Sequence, residues 1–364
     1  MKRFGVPGTP DEAVRKLLSF LMEQERIRAA FVLAEVAPGK YAYTLITDLR
    51  LLDRAAPTVP LMPVNAGKMV SRLTMLEPAP EPIAVVLRPC ELRALFELVK
   101  LEQARLDNLF LISLTCGGVV PTRAMLGAME PVFEKYREIV KAGATWDGLR
   151  DTCRICKEFV PAGADVTLAL VGKDSRETTD MLAGTGKGEQ FLDGLVPSSE
   201  GELDSGVLER LGKERVEQEP AVLGRFAPET FGLDGLISVF GRCVNCHACS
   251  KACPVCYCNM CQFESADAAQ QPNETVEELD RRGGLRLPVG TIYYHVGRML
   301  HVSMTCVGCG MCSDACPVDI PVASVFTRLA GRVQGMFDYV AGRDVDEKIP
   351  TSTFEMEELK EIGA

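Results

Sequence analysis

No uninterrupted apolar stretch of this sequence approaches the length of a membrane span. Met1-Lys2-Arg3-Phe4-Gly5 runs into Pro7 and Pro10 without the apolar core of a signal peptide. The expectation is a soluble cytoplasmic protein with no membrane span. Basic charge is in deficit as well. Fifty acidic residues against 40 basic ones give a formal net charge of −10, which is a poor basis for neutralising phosphates and argues against nucleic acid as a partner. Also missing are a serine, histidine or carboxylate constellation and a nickel or molybdenum ligand set, so nothing here activates a small substrate on this chain. Disorder and fibres are excluded by 47% apolar and 25% charged residues, and 364 residues are enough chain for two or three cores.

What the sequence has in excess is cysteine: 15 in all, most of them between Cys243 and Cys316. An odd total, clustered spacing and no export signal argue against a disulfide framework and for thiolates held on metal. Cys243-x2-Cys246-x2-Cys249-x3-Cys253-Pro254 and Cys306-x2-Cys309-x2-Cys312-x3-Cys316-Pro317 are two copies of one pattern. In such a pattern three closely spaced thiolates wrap one corner of an iron-sulfur cube, and the fourth, before proline, serves the other cube. The expected ligand sets therefore cross: Cys243, Cys246, Cys249 and Cys316 for one 4Fe-4S cluster, and Cys306, Cys309, Cys312 and Cys253 for the second. Zinc ribbons use two separated C-x2-C knuckles and fit this pattern poorly.

Between the copies, Cys256, Cys258 and Cys261 are additional thiols. They either serve a further cluster with a fourth ligand from elsewhere or lie as thiols beside the cofactors. His247 lies inside the first loop, either tuning a cluster by a hydrogen bond or as an ordinary loop residue, and His295 and His301 read as packing residues. Cys90 follows a strand and starts a helix, and Cys116 ends the next strand, which puts both on the carboxyl edge of a sheet, where ligands bind. Cys153-Arg154-Ile155-Cys156 is a knuckle that could close a four-thiolate site over them. On spacing alone, two buried thiols plus a separate redox or zinc C-x2-C pair is the favoured reading.

The first third alternates helix and strand. Thr9, Pro10 and Glu12 form a helix-start signature before Val14, Leu17, Leu18 and Leu21, and strands are expected over Ala30 to Val36, Tyr41 to Thr47, Ile83 to Leu87 and Leu109 to Leu114. Helices are expected over Gly67 to Leu76 and Glu91 to Glu102. This is α/β order with a mainly parallel sheet. A strand over Val166 to Gly172 and a helix near Glu189 to Leu195 complete the unit. The expected division is residues 1–196 as the α/β domain, 197–235 as a helical connection with an amphipathic stripe at Leu203, Val207, Leu208 and Leu211, 236–342 as a ferredoxin-like dicluster domain, and 343–364 as a peripheral acidic tail. Helices are expected to enter the second cysteine cluster over Thr291 to Ser303 and to leave it over Pro321 to Val333.

Arg88-Pro89-Cys90-Glu91-Leu92-Arg93-Ala94-Leu95, Asp107 to Ile112 with Cys116-Gly117-Gly118, the Cys153 knuckle and the two cysteine loops together resemble the beta-subunit family of deazaflavin-dependent hydrogenases and formate dehydrogenases. The formate dehydrogenase branch is the nearest likeness, and it spans about Val64 to Phe337. The resemblance implies an FAD-binding α/β domain whose own 4Fe-4S cluster is held by Cys90, Cys116, Cys153 and Cys156. Flavin contacts are implied at Asn65, Gly67 and Lys68, before and within a helix start, and at Gly117 and Gly118. From the residues alone, an ordinary loop with a surface lysine is the favoured reading of Pro63 to Lys68.

The family's flavin exchanges a hydride with coenzyme F420 and single electrons with the clusters. Two departures bear on that site: a shortened, proline-rich Val6 to Pro10 segment, and Asp165 followed by Val166 to Gly172 where the family has a glycine-rich, often tryptophan-containing turn. The only tryptophan, Trp146, precedes the knuckle. The expected function is an iron-sulfur flavoprotein electron-transfer subunit. Its implied partner is a catalytic subunit, a molybdenum or tungsten formate dehydrogenase or else a hydrogenase, which carries the substrate chemistry. Its acceptor is either coenzyme F420 or, as the altered turn favours, a heterodisulfide-reductase-like iron-sulfur flavoprotein. The rival from another class is a metal-stapled structural or binding subunit, but an α/β domain of this size folds without staples.

Overall fold

The computed structural model describes residues 1–127, 129–224, 232–265, 272–283 and 290–353. Strands β1 (Lys2–Pro7), β2 (Ala29–Ala37), β3 (Lys40–Ile46), β4 (Ile83–Val86), β5 (Leu109–Leu114), β6 (Val166–Ala169), β7 (Thr178–Ala183) and β8 (Ser198–Glu200) form one sheet in the order β3-β2-β4-β5-β6-β7-β1-β8. Its centre, β2-β4-β5-β6, is parallel. Antiparallel pairs flank it on both sides. The sheet is therefore mixed, with the expected parallel pairing at its centre and antiparallel strands added at its edges.

The α/β half also holds α1 (Pro10–Glu23), α2 (Ala66–Thr74), α3 (Pro89–Lys100), α4 (Glu130–Ala142), α5 (Asp151–Arg154) and α6 (Gly186–Leu192). Then follow α7 (Ser205–Leu223), α8 (Leu233–Phe240), α9 (Ala248–Ala252), α10 (Pro272–Arg282), α11 (Thr291–Val302), α12 (Met311–Asp314) and α13 (Val322–Gly335). Part of the expected connection, residues 225–231, lies outside the described residues.

The α1 start follows its sequence signature: Pro10 is the first helical residue and the Thr9 N–H donates to Glu12 Oε2 at 2.8 Å. The central strands are apolar on both sides because both faces are covered. Phe31, Val85, Leu109 and Leu111 pack with Val70, Leu92, Leu95 and Leu98 of α2 and α3. Their neighbours Ala30, Val32, Ala84, Val86, Phe110 and Ile112 pack with Val14, Leu17 and Leu18 of α1 and Phe133 and Tyr136 of α4. Strands β1 and β7 escape a pattern search because Gly5 and Pro7 interrupt one and polar residues open the other. Pairing makes them strands, with Arg3 opposite Leu182 and Val6 opposite Thr179.

The segment expected as a peripheral tail is partly internal. Ile349 is 2% exposed and joins Tyr339, Ala341, Met304, Val307 and Ala94 in one apolar cluster. Glu97 Oε1 on α3 accepts from Tyr339 Oη and the Gly342 N–H, both at 2.6 Å, which ties the C-terminal end of the cysteine-rich half to the sheet domain. Residues 354–364 lie outside the described residues. Among the described residues, no helix is long and apolar enough to cross a membrane.

Candidate iron-sulfur centres

Strands β4 and β5 are parallel neighbours with Val86 opposite Ile112. Each chain segment leaving their carboxyl ends therefore arrives at the same edge, carrying Cys90 in the first turn of α3 and Cys116 just beyond β5. The Cys116 N–H donates to Phe159 O at 2.8 Å, drawing in the segment after the knuckle. Burial pushes the Cys153 thiol up to about 11; the neighbouring thiols Cys116 and Cys156 add to this while Arg150 opposes it. Burial likewise raises Cys156, opposed by Arg215 and Arg93, with Cys116 again a raising neighbour. These four thiols form one electrostatic neighbourhood, which the knuckle spacing alone left open.

The two cysteine loops repeat in backbone as well as in sequence. Asn245 and His247 flank Cys246 with φ of 55° and 56°, and Gly308 and Gly310 flank Cys309 with φ of 66° and 81°. Both loops therefore need left-handed residues at matching positions; the second uses glycine and the first uses Asn and His. Burial raises the Cys243 thiol, and its neighbouring thiols are Cys249, Cys246 and Cys316. In the second loop burial pushes Cys306 up to about 11 and Cys309 up to about 12, with Cys253 the leading thiol neighbour of each. Cys312 is raised well above the usual thiol range by burial and then by Cys253. A cavity lined by Cys253, Cys306, Cys309 and Cys312 encloses that second group. Thiols held this high bind metal only by giving up their protons.

The third group adjoins the second. Burial and then Glu91 raise Cys90, and the thiol neighbour that follows is Cys309 of the other half, ahead of Cys116 and Cys153. Packing agrees, since Cys90, Cys153 and Cys309 all press on a cluster of Met62, Val119 and Met311. Buried arginines clamp the junction. Arg150 pairs with Asp314 at 2.5 Å, both side chains under a tenth exposed, and also donates to Cys309 O at 3.2 Å and Met62 O at 2.9 Å. Arg93 donates to Ala341 O at 2.8 Å and Val307 O at 3.3 Å.

Sequence reasoning missed several polar residues around these groups. Arg215 is 1% exposed and caps the carbonyls of Cys116, Gly117 and Cys156 at 3.1 to 3.3 Å. Its signal was its place on the apolar stripe of α7, in register with Leu208 and Leu211. Arg88 donates from Nη1 to Cys116 Sγ at 3.7 Å. His295, read as a packing residue, does stack on Phe240 at 3.9 Å, but its Nε2 also lies 3.4 Å from Cys243 Sγ. Burial, followed by the charges of Arg298 and His247, holds its pKa down at about 3, so the ring is neutral. His247 bonds Asn245 Oδ1 at 3.0 Å and stacks on Tyr294 at 4.1 Å.

The residues expected at a flavin do not converge on a cavity that would hold one. The Lys68 ammonium is bound by the carbonyls of Lys251 and Cys253, both at 2.7 Å, and of Cys256 at 3.4 Å, so it grips the first cysteine loop. Asn65 caps α2, accepting from the Lys68 N–H at 3.3 Å. A Cβ on Gly67 would lie 2.3 Å from Glu91 O and 2.9 Å from Leu95 N, so this glycine permits the close approach of α2 and α3. Gly117 is closed off by Val140 and Tyr136, and Gly118, at φ 108°, by Leu149 and Cys153. The cavity beside Asn65 and Lys68 measures about 230 Å³, below the size of ordinary cofactor sites. Asp165 is likewise structural, its Oδ2 accepting from the Leu111 N–H at 2.9 Å and its Oδ1 from Thr185 Oγ1 at 2.7 Å. The stretch after it begins as the buried strand β6. We expect Gly67→Ala to cost about 1–3 kcal/mol by forcing α2 off α3, read as a lowered urea midpoint with cysteine-bound iron unchanged.

Cys258 is exposed, and Cys256 has Cys253 as its thiol neighbour, with burial pushing it up to about 11. Cys261 precedes a short 3-10 turn. Among the described residues no three His, Cys, Asp or Glu side chains sit closely enough to share a single metal ion.

Fold and cysteine groups together define an α/β protein with a C-terminal 4Fe-4S dicluster domain. Residues 239–320 match the family described as 4Fe-4S dicluster domain. Residues 134–206 match the family described as the C terminus of the coenzyme F420 hydrogenase/dehydrogenase beta subunit. Both modules of the beta-subunit family that the sequence resembles are thus present in this chain. It is 24% identical over 377 residues to the F420-dependent formate dehydrogenase subunit beta of Methanocaldococcus jannaschii, covering 93% of each chain. It is 28% identical over 306 residues to the F420-dependent formate dehydrogenase 1 subunit beta of Methanococcus maripaludis, covering 74% of each. The solved F420-reducing [NiFe] hydrogenase complex from Methanosarcina barkeri contains a chain with 14% identity and a TM-score of 0.42, matching 63% of this chain and 93% of that one.

Proposed function

We propose that this chain is the electron-transfer beta subunit of a formate dehydrogenase-type oxidoreductase, with the substrate chemistry on a catalytic partner subunit. When bound, 4Fe-4S clusters supply reversible one-electron storage at potentials tuned by the surrounding hydrogen bonds and charge. Cys243, Cys246, Cys249 and Cys316 would hold one, Cys306, Cys309, Cys312 and Cys253 the second, and Cys90, Cys116, Cys153 and Cys156 the third. The observation that carries this reading is the meeting of Cys90 and Cys309 across Met62, Val119 and Met311. It joins the sheet-edge group to the dicluster module in a continuous series. Arg93 and Arg150 hold its two halves in register. The repeated C-x2-C-x2-C-x3-C-P spacing favours multinuclear clusters over zinc, which takes separated C-x2-C knuckles.

The sequences of relatives named as F420-dependent subunits favour coenzyme F420 as the acceptor. The buried β6 strand, in place of a glycine-rich turn, favours a heterodisulfide-reductase-like partner. No residue is assigned to FAD, since the five expected contacts do not frame a site for it. The test is anaerobic purification with co-purifying partners, then iron, sulfide and flavin analysis of one sample. About twelve irons per chain are expected. About eight would remove the third centre from the proposal, and zinc in place of iron would overturn it. Flavin, if found, would have to occupy a site built from other residues.

A further inference from the structure

Arg298 of α11 is 2% exposed in a chain with a net negative charge. Its Nη1 donates to Cys249 Sγ at 3.1 Å and its Nη2 to Cys249 O at 3.2 Å, so the outer fork of the guanidinium is committed to the first ligand group. The same side chain lines the cavity enclosed by Cys253, Cys306, Cys309 and Cys312. Phe326, which also lines that cavity, packs against the guanidinium with 4.8 Å from its ring centroid, and Tyr294 lies at 5.6 Å. Nε is buried and has no partner in the structure, an unsatisfied donor on a side chain at the wall of a cysteine-lined cavity, and Cys256, outside both ligand groups, is a further thiol beside the guanidinium. An unmatched buried N–H gives up its hydrogen bond to water without replacement, so such a group normally has an acceptor.

We propose that Arg298 is a positioning residue shared by the two dicluster centres, donating to Cys249 on one side and through Nε to a sulfur of the second cluster on the other. The inference rests on the reading that both ligand groups hold 4Fe-4S clusters. Its consequence is electrostatic. Reduction adds one electron to a cluster whose thiolate ligands already make it anionic, and a fixed cation in a water-excluded site favours the more negative state. Arg298 therefore raises both potentials together. Lysine would keep the charge but not the fork, since its compact ammonium cannot address both groups at once.

The test is a mediated redox titration of the anaerobically purified complex, each reduced cluster being followed by its EPR signal. Iron and sulfide are measured first. A wild-type sample without 4Fe-4S signals overturns the cluster reading and this proposal with it. Given wild-type clusters, Arg298→Met and Arg298→Gln are expected to lower the reduced-to-oxidised ratio of both clusters about tenfold at a fixed potential, which is 59 mV for a one-electron couple. Arg298→Lys is expected to fall between these and wild type. Unchanged potentials with full iron content would overturn the proposal, as would a shift confined to the cluster of Cys249. Should the neutral variants lose iron, electron-nuclear double resonance on the wild-type complex decides. An exchangeable proton coupled to each cluster, lost from at least one in Arg298→Lys, supports the shared donor, and its absence from the second cluster overturns it.

Discussion

Cys253→Ser is expected to remove the cluster of Cys306, Cys309 and Cys312 and to leave that of Cys243, Cys246 and Cys249 in place. About four irons per chain would be lost, with the signal of one cluster retained. The reciprocal Cys316→Ser is expected to remove the other cluster. Both follow from where the fourth cysteines lie: Cys253 lines the cavity of the second loop, and Cys316 neighbours Cys243. Each follows its own loop by a short helix, α9 or α12, that carries it across the module, and the Ile320 N–H then donates to Cys316 Sγ at 3.3 Å. Because the second cluster alone adjoins Cys90, the two variants should differ in a further way. Cys253→Ser should cut the sheet-edge centre off from the cluster of Cys243, so that electrons no longer pass between them during turnover, although dithionite still reduces both. Loss of the cluster of Cys243 on replacing Cys253 would mean that the ligand sets are not crossed.

The second large effect is at the seam. Asp314→Ala is expected to destabilise the protein by about 3–5 kcal/mol, because it leaves the buried Arg150 charge without its carboxylate. Asp314 also accepts from the Thr122 N–H at 3.0 Å, so the loss loosens a second strap between the halves. Close by, Arg123 donates to Cys316 O at 2.8 Å and pairs with Asp319. Those contacts are more exposed and should soften the effect little. The double variant Arg150→Met with Asp314→Leu should recover part of the loss, giving a coupling energy well above that of an exposed pair. Thermal unfolding of the anaerobic protein measures Asp314→Ala, the double variant and its two single variants Arg150→Met and Asp314→Leu, which close the cycle. A change of less than about 1 kcal/mol in Asp314→Ala would show that the pair is hydrated rather than buried.

The cysteine pattern needed no structure. Ligand spacing in a short loop is a local property, so Cys243 to Cys253 and Cys306 to Cys316 point to two crossed groups without any knowledge of the fold. The apolar runs β2, β4 and β5 were equally plain, since strands buried on both faces carry little but apolar side chains. Alternation of strand and helix then put Cys90 and Cys116 on one edge. The α4 helix is legible in the helical spacing of Phe133, Tyr136 and Val140, whereas β1 and β7 exist only because they pair.

Tertiary structure decided what depends on partners distant in sequence. Whether Cys153 and Cys156 join Cys90 and Cys116 is a matter of how a loop folds back over a sheet edge, and no spacing encodes it. Lys68 looked like a phosphate ligand because a helix start beside a lysine is a plausible anion site, yet carbonyls more than 180 residues away along the chain claim its ammonium. Gly67 looked like room for a cofactor and is room for a helix. Arg215, Arg298 and Arg150 carried no motif at all. A buried guanidinium is defined by the carbonyls, thiols and carboxylate that surround it, and those are assembled only when the two halves of the chain dock. The sequence by itself determined the ligand chemistry; packing determined the order in which the ligand groups touch, because contact between segments far apart in the chain is set by the fold.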